Sequence, residues 1–120
     1  MTLAAGWKGF GDGIKSEQSG VVLIAKERYR QESEENWTHE HDDGHTEDEL
    51  AKAAACYALP HFDRMRFTGT SSVPIYWPWC DSWWKPAKIS QSGSKADRIK
   101  ELVKAGALIA AEIDRLNRQA

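Results

Sequence analysis

Ser94-Lys-Ala-Asp97-Arg-Ile99-Lys-Glu-Leu102-Val103-Lys-Ala-Gly106-Ala-Leu-Ile109-Ala110-Ala-Glu-Ile113-Asp-Arg-Leu116-Asn-Arg-Gln-Ala120 reads as one long helix that decides the fold class. Ser94 with Asp97 three positions on fits an N-terminal cap. Ile99, Leu102, Val103, Gly106, Ile109, Ala110, Ile113 and Leu116 then trace one apolar stripe to the end of the chain. The stripe is expected to be the core-facing side. Gly106 and Ala110 form a notch of small residues where a neighbouring helix can sit close.

Working back along the chain, Glu49-Leu50-Ala51-Lys-Ala53-Ala54-Ala55-Cys56-Tyr57 repeats apolar residues at helical spacing. Thr46 and Glu49 match a capping box, which places the helix start at Thr46. The alanines make this helix thin, and Pro60 stops it. Cys56, among alanines, reads as a small core residue. A third helix is expected over 21–36. Val22, Ala25 and Tyr29 share a face there, and the charged continuation lacks glycine and proline. Residues 60–92 are broken by Pro60, Gly69, Pro74, Pro78 and Pro86 and carry four of the six tryptophans. Residues 1–20, punctuated by five glycines, read as a loose arm with Trp7 and Phe10 as its anchors. The expected architecture is mainly α. It is a single helical domain over 21–120, with two short helices, one long C-terminal helix and an irregular tryptophan- and proline-rich segment across them.

Bulk properties narrow the function. The 120 residues fit one domain, and 41 % hydrophobic with 28 % charged residues is ordinary globular composition. The net charge of −2 gives no basic field to gather duplex DNA. Two cysteines are too few for a disulfide framework, which points to a reducing, cytoplasmic setting. No apolar run reaches membrane-spanning length.

Three constellations are candidates for chemistry. His39-Glu-His41-Asp42-Asp43-Gly44-His45 gathers imidazoles and carboxylates. His41, Asp42 and His45 are the candidate ligands for a divalent metal: magnesium, manganese or zinc. The spacing matches no standard zinc signature, and the alternative is a solvated acidic loop whose last acids complement a helix dipole. Glu27, Arg28, Arg30 and Gln31 form a dense polar face on the first helix. They either line a pocket with that loop or simply face water. The aromatic block Tyr76-Trp77-Pro-Trp79-Cys80-Asp-Ser-Trp83-Trp84 can cover the helices or stack on a nucleobase. Trp79 of this block and Trp37, which precedes the histidine-rich turn, are the candidate ligand-binding tryptophans. A homo-oligomer is expected from the small core beside many large aromatics.

Taken together, Glu27-Arg28-x-Arg30-Gln31, Trp37-Thr-x-Glu40-His41-Asp42-Asp43-x-His45, Glu49-Leu50-Ala51-x-Ala53-Ala54-Ala55-Cys56-Tyr57-Ala58, Trp77-Pro78-Trp79 and Trp83-Trp84-Lys85-Pro86 resemble a family of small phage and prophage accessory proteins. The likeness runs from about residue 25 to 118 and leaves out the arm. It implies an accessory, anti-defence role in the cytoplasm of an infected or lysogenic bacterial host, with binding of a nucleotide or nucleotide-derived signal. A weaker likeness is to MazG-like all-helical nucleotide pyrophosphohydrolases, which hold magnesium on paired Glu-x-x-Glu and Glu-x-x-Asp motifs. Glu32-x-x-Glu35 fits the first pair. The second is absent in its usual form, since Glu47 is followed three on by Leu50 and Glu49 by Lys52. The expected functions are therefore binding of a nucleotide-like small molecule, metal-dependent nucleotide hydrolysis, or protein–protein inhibition of a host enzyme.

Overall fold

The structure is a computed structural model, and it describes residues 19–65, 73–86 and 94–119. The arm expected over 1–20 lies outside the described residues apart from Ser19 and Gly20. Five helices are described: α1 (Gly20–Ser33), α2 (His39–Asp43), α3 (Glu49–Ala58), α4 (His61–Met65) and α5 (Lys95–Arg118). A single 3₁₀ turn (Asp81–Trp83) sits in the tryptophan-rich segment. The mainly helical architecture with one long C-terminal helix is as the sequence leads one to expect.

Local signals set most boundaries. Ser94 Oγ accepts from the Asp97 amide at 3.3 Å and starts α5. α1 unwinds through Asn36, whose φ of 61° is left-handed, a conformation asparagine tolerates better than most residues. The Trp37 amide then closes back on the Gln31 carbonyl at 2.9 Å. Two expectations change. The stretch 39–43 is a helical turn rather than a connection, because the Thr38 hydroxyl accepts from the His41 amide and caps it. α3 begins at Glu49, not Thr46. Asp48 takes the cap position with φ 62°, and Glu49 accepts from the Glu47 amide instead of closing a box with Thr46.

α3 lies on α5, and α1 lies on another side of α5. The core joins Leu50, Ala53, Ala54 and Tyr57 of α3 to Ala105, Leu108 and Ala111 of α5, with Trp37, Trp77, Trp79 and Trp84 packed round it. Alanine on both helices permits a close approach, and the alanine-bearing face of α5 turns inward together with Leu108 and the paired charges. α5 is accordingly turned opposite to expectation. Its buried residues are Glu101, Ala105, Ala107, Leu108, Ala111, Glu112 and Arg115. Ile99, Leu102, Ile109, Ile113 and Leu116 are exposed. The Gly106 half of the notch holds: a Cβ there would lie 2.5 Å from Ile24 Cδ1 of α1. On α1, Val22 is buried as expected, but Tyr29 is exposed and the other buried residues are Arg28 and Gln31.

The inward charges are paired, as burial demands. Glu112 and Arg115 bond each other at 2.7 and 2.9 Å. Arg64 of α4 reaches Glu101 at 2.9 Å while its Nε and Nη2 donate to the carbonyls of Cys56 and Tyr57. Arg98 donates to the carbonyls of Tyr57, Ala58 and Leu59. Two arginines thus satisfy the carbonyls that the end of α3 leaves without helical partners.

Candidate functional site

α1, α5 and the tryptophan segment enclose a cavity of about 930 Å³. Each wall follows from helical spacing. Leu23, Glu27, Arg30 and Gln31 fall on one face of α1 at steps of four, three and one. Ala96, Lys100, Val103 and Lys104 do the same on α5. The non-helical chain carries Trp77, Trp79, Trp83 and Lys85 across the opening, and Tyr57 of α3 contributes to the lining.

One wall is aromatic. Trp77 meets Trp79 edge to face at 5.3 Å and Tyr57 at 5.7 Å, and it meets Trp84 at 5.0 Å. Such contacts favour fixed ring orientations over a mobile cluster. Trp77 Nε1 donates to the Cys80 carbonyl at 3.1 Å, which ties the segment to itself. The Lys85 amide donates to the Tyr57 hydroxyl at 3.1 Å, which ties it to α3. Trp83 stands more exposed at the rim.

The other walls carry charge, with Arg30, Lys85, Lys100 and Lys104 against Glu27 and Glu35. Arg30 is already engaged. It holds both carboxylate oxygens of Glu27 at 2.8 Å and Glu35 at 3.0 Å, and the Glu27 bond raises its pKa further above its ordinary value. Lys104 differs. Its half-buried ammonium makes one long bond, to the Lys85 carbonyl at 3.4 Å, and lies 5.3 Å from the Tyr57 ring centre; burial lowers its pKa from 10.5. A buried cation that is hard to keep charged gains most from an incoming anion.

Two polar atoms in the lining find no hydrogen-bond partner among the described residues. Gln31 is 2 % exposed; its amide nitrogen donates to Glu27 at 3.2 Å, while its Oε1 bonds nothing. Trp79 Nε1 is likewise buried and unpaired. A buried acceptor and a buried donor left open are costly unless something else meets them.

A smaller cavity of about 290 Å³ adjoins the first, and the two share Trp37, Trp79 and Trp83. His41 and His45 line it. Trp37 stacks on His41 at 5.6 Å, His41 meets His45 at 4.9 Å, and His45 meets Trp79 at 5.2 Å.

The sequence-predicted residues therefore divide. Glu27, Arg30, Gln31, Trp37 and Trp79 line the large cavity, and Trp37, Trp79, His41 and His45 line the small one. Arg28 and Asp42 line neither. They form a buried ion pair with Arg28 Nη2 donating to Asp42 Oδ2 at 3.0 Å. His41, Asp42 and His45 are not gathered as metal ligands. Asp42 is spent on Arg28 and on His41 Nδ1 at 3.0 Å, while His45 pairs with Glu49 at 3.3 Å. Among the described residues no three histidine, cysteine, aspartate or glutamate side chains are placed to hold an ion. The cysteines stay apart in character, Cys56 buried and Cys80 exposed, both as free thiols.

Lys100, Lys104 and Tyr57 were not among the candidate site residues, and Trp77 and Trp83 were named only as part of the aromatic block. The signal for the lysines was present, since Lys100 and Lys104 are four apart on a helix and share a face. No helix among the described residues is long and apolar enough to cross a membrane. No family model matches the chain, and no match is found among curated proteins or solved structures.

Proposed function

We propose that the chain is a binding protein for a flat, anionic small molecule of the nucleotide class, held in the 930 Å³ cavity. One observation carries this reading: a tryptophan wall faces a wall richer in cations than in acids. Indole faces suit a nucleobase, and lysines suit a phosphate. The volume falls within the range of small-molecule sites. Gln31 Oε1 and Trp79 Nε1 would supply one acceptor and one donor to the base edge. Arg30, locked by Glu27 and Glu35, acts in this reading as a rigid part of the wall. The phosphate falls to Lys104 and Lys100.

The likeness to phage and prophage accessory proteins supplies a biological setting, in which binding withholds a nucleotide signal from a host. Turnover gains no support from the arrangement of the histidine-rich turn, where Asp42 is committed to Arg28, Asp43 to Arg118 and His45 to Glu49.

The test is a tryptophan-fluorescence titration with nucleoside mono-, di- and triphosphates and cyclic dinucleotides, repeated on Lys104→Met. Saturable quenching by one class, weakened at least tenfold in the variant, is expected. Absence of saturable binding across the panel, or equal affinity in the variant, refutes the reading.

A further inference from the structure

The smaller cavity is built from rings. Trp37, His41, His45, Trp79, Cys80 and Trp83 line its volume of about 290 Å³, and five of the six are aromatic. Trp37 lies within 2° of parallel to His41, His41 stands at 77° to His45, and His45 is tilted by 54° to Trp79. Ring planes that turn in this way from one to the next make a curved wall, not a flat stack. Trp83, 56 % exposed, stands at the rim. Among the described residues no lysine or arginine lines this space, whereas Arg30, Lys85, Lys100 and Lys104 line the large cavity. The volume lies at the lower end of the range of small-molecule sites, about 300–1,000 Å³, and suits a compact group.

The polar groups of this wall are negative in character. His41 Nδ1 lies 3.0 Å from Asp42 Oδ1, and His45 Nδ1 lies 3.3 Å from Glu49 Oε2. A carboxylate only accepts, so each Nδ1 carries the hydrogen and each Nε2 is an acceptor in the neutral ring. Asp42 meets Arg28 through its other oxygen, so its charge is already balanced and draws no second proton onto His41. Two imidazolium rings with centres 4.9 Å apart would also repel each other. The Ser82 hydroxyl donates to Cys80 Sγ at 3.4 Å and lowers the pKa of the thiol. Ring faces, imidazole lone pairs and a sulfur inclined to negative charge share one preference, for a cation that sheds its water easily. Ring quadrupoles attract such a cation, and aromatic cages hold quaternary ammonium groups on this principle. We propose that the small cavity is a site for a small quaternary ammonium compound. The site does not rest on the nucleotide reading of the large cavity.

The test is a tryptophan-fluorescence titration of the full chain with choline and with its neutral carbon isostere, the alcohol in which a tert-butyl group replaces trimethylammonium. Choline is expected to bind saturably and at least tenfold more tightly than the alcohol. Cys80→Lys and Cys80→Met place side chains of similar length at an exposed position of the lining, so both variants should fold, as circular dichroism checks. Cys80→Lys is expected to weaken choline binding at least tenfold more than Cys80→Met, because only lysine brings a competing ammonium. No saturable binding of choline, or equal binding of the alcohol, overturns the proposal, since the cavity would then be merely apolar. Equal effects of the two substitutions overturn it too, since choline would then sit elsewhere. A trimethyllysine peptide that binds at least tenfold more tightly than choline overturns the small-molecule assignment and makes a modified protein the occupant.

Discussion

Arg28 and Asp42, fourteen positions apart in sequence, meet in a buried ion pair at 3.0 Å that fastens α1 to α2. Their side chains are 7 % and 1 % exposed. Asp42 also bonds His41, the ring of which stacks on Trp37. The densest polar motif of the sequence thus serves in large part as a clasp. It holds the Trp37 wall, shared by both cavities, against the body of the protein.

Breaking the clasp from one side should cost far more than the pair itself contributes. Asp42→Ala removes the buried partner of the guanidinium and leaves only the exposed Glu32 at 3.5 Å and Asp114 at 3.9 Å to balance it, a loss of about 3 kcal/mol. Asp42→Asn keeps an acceptor for Arg28 and is expected to cost less. Urea titrations of the two variants check the order. Equal, small losses would mean that Arg28 swings out to water.

Arg64 should behave similarly at the other end of α3. Arg64→Met removes the donor to the Cys56 carbonyl and one of two to the Tyr57 carbonyl, and it leaves Glu101 with only the more exposed Arg98 at 3.1 Å, at about 3 kcal/mol. The same change at Arg98, whose side chain is 33 % exposed, is expected to cost less, because Arg64 still neutralises Glu101 and water can reach the freed carbonyls. Thermal and urea unfolding of both variants give the comparison.

The three longer helices were legible because they are written locally, whereas α2, read as a connection, and α4, inside the stretch 60–92 read as irregular, were not. Ser94 and Asp97 announce α5, Pro60 ends α3, and the Leu50, Ala53, Ala54, Tyr57 set is buried as spaced. The orientation of α5 was not legible. Periodicity shows that Ile99, Leu102, Ile109, Ile113 and Leu116 share a face, but not what covers it. The opposite face of Glu101, Ala105, Leu108, Glu112 and Arg115 looks solvent-bound until its charges find buried partners, one of them Arg64 at a separation of 37 residues. Of the candidate site, Glu27, Arg30, Gln31, Trp37 and Trp79 were visible as a polar face and an aromatic block. The contribution of Lys104 depends on α5 lying beside α1, which no local pattern states.

Gly106 gives a test of how closely α1 and α5 approach. Alanine at this position gains helix propensity of about 1 kcal/mol. Its Cβ would fall 2.5 Å from Ile24 Cδ1 and 2.8 Å from Cγ1, so Ile24 must move, at about 1–3 kcal/mol. Gly106→Ala is therefore expected to be net destabilising by about 1 kcal/mol. Adding Ile24→Ala removes the clash, and in that background Gly106→Ala should become stabilising. A double-mutant cycle in urea reads the sign. If Gly106→Ala stabilises the protein with Ile24 in place, the helices are further apart than described.

Lys104 links the cavity to pH with two opposed slopes. Burial is the main cause that lowers its pKa from 10.5; nearby Arg30 and Lys85 add to the effect, and Glu27 and Glu35 work against it. Between the lowered value and 10.5 the unfolded chain binds the proton that the folded one has released, so folding stability should rise with pH across that window. Anion binding has the opposite sign. A phosphate favours the ammonium, so the complex holds the proton longer than the free protein and affinity falls as pH rises through the same window. Nucleotide titrations by tryptophan fluorescence, paired with urea unfolding at each pH from neutral to 10.5, measure both slopes. Lys104→Met should flatten both together. If affinity falls with pH as steeply in the variant as in the wild type, another group holds the anion and Lys104 is only a wall of the cavity.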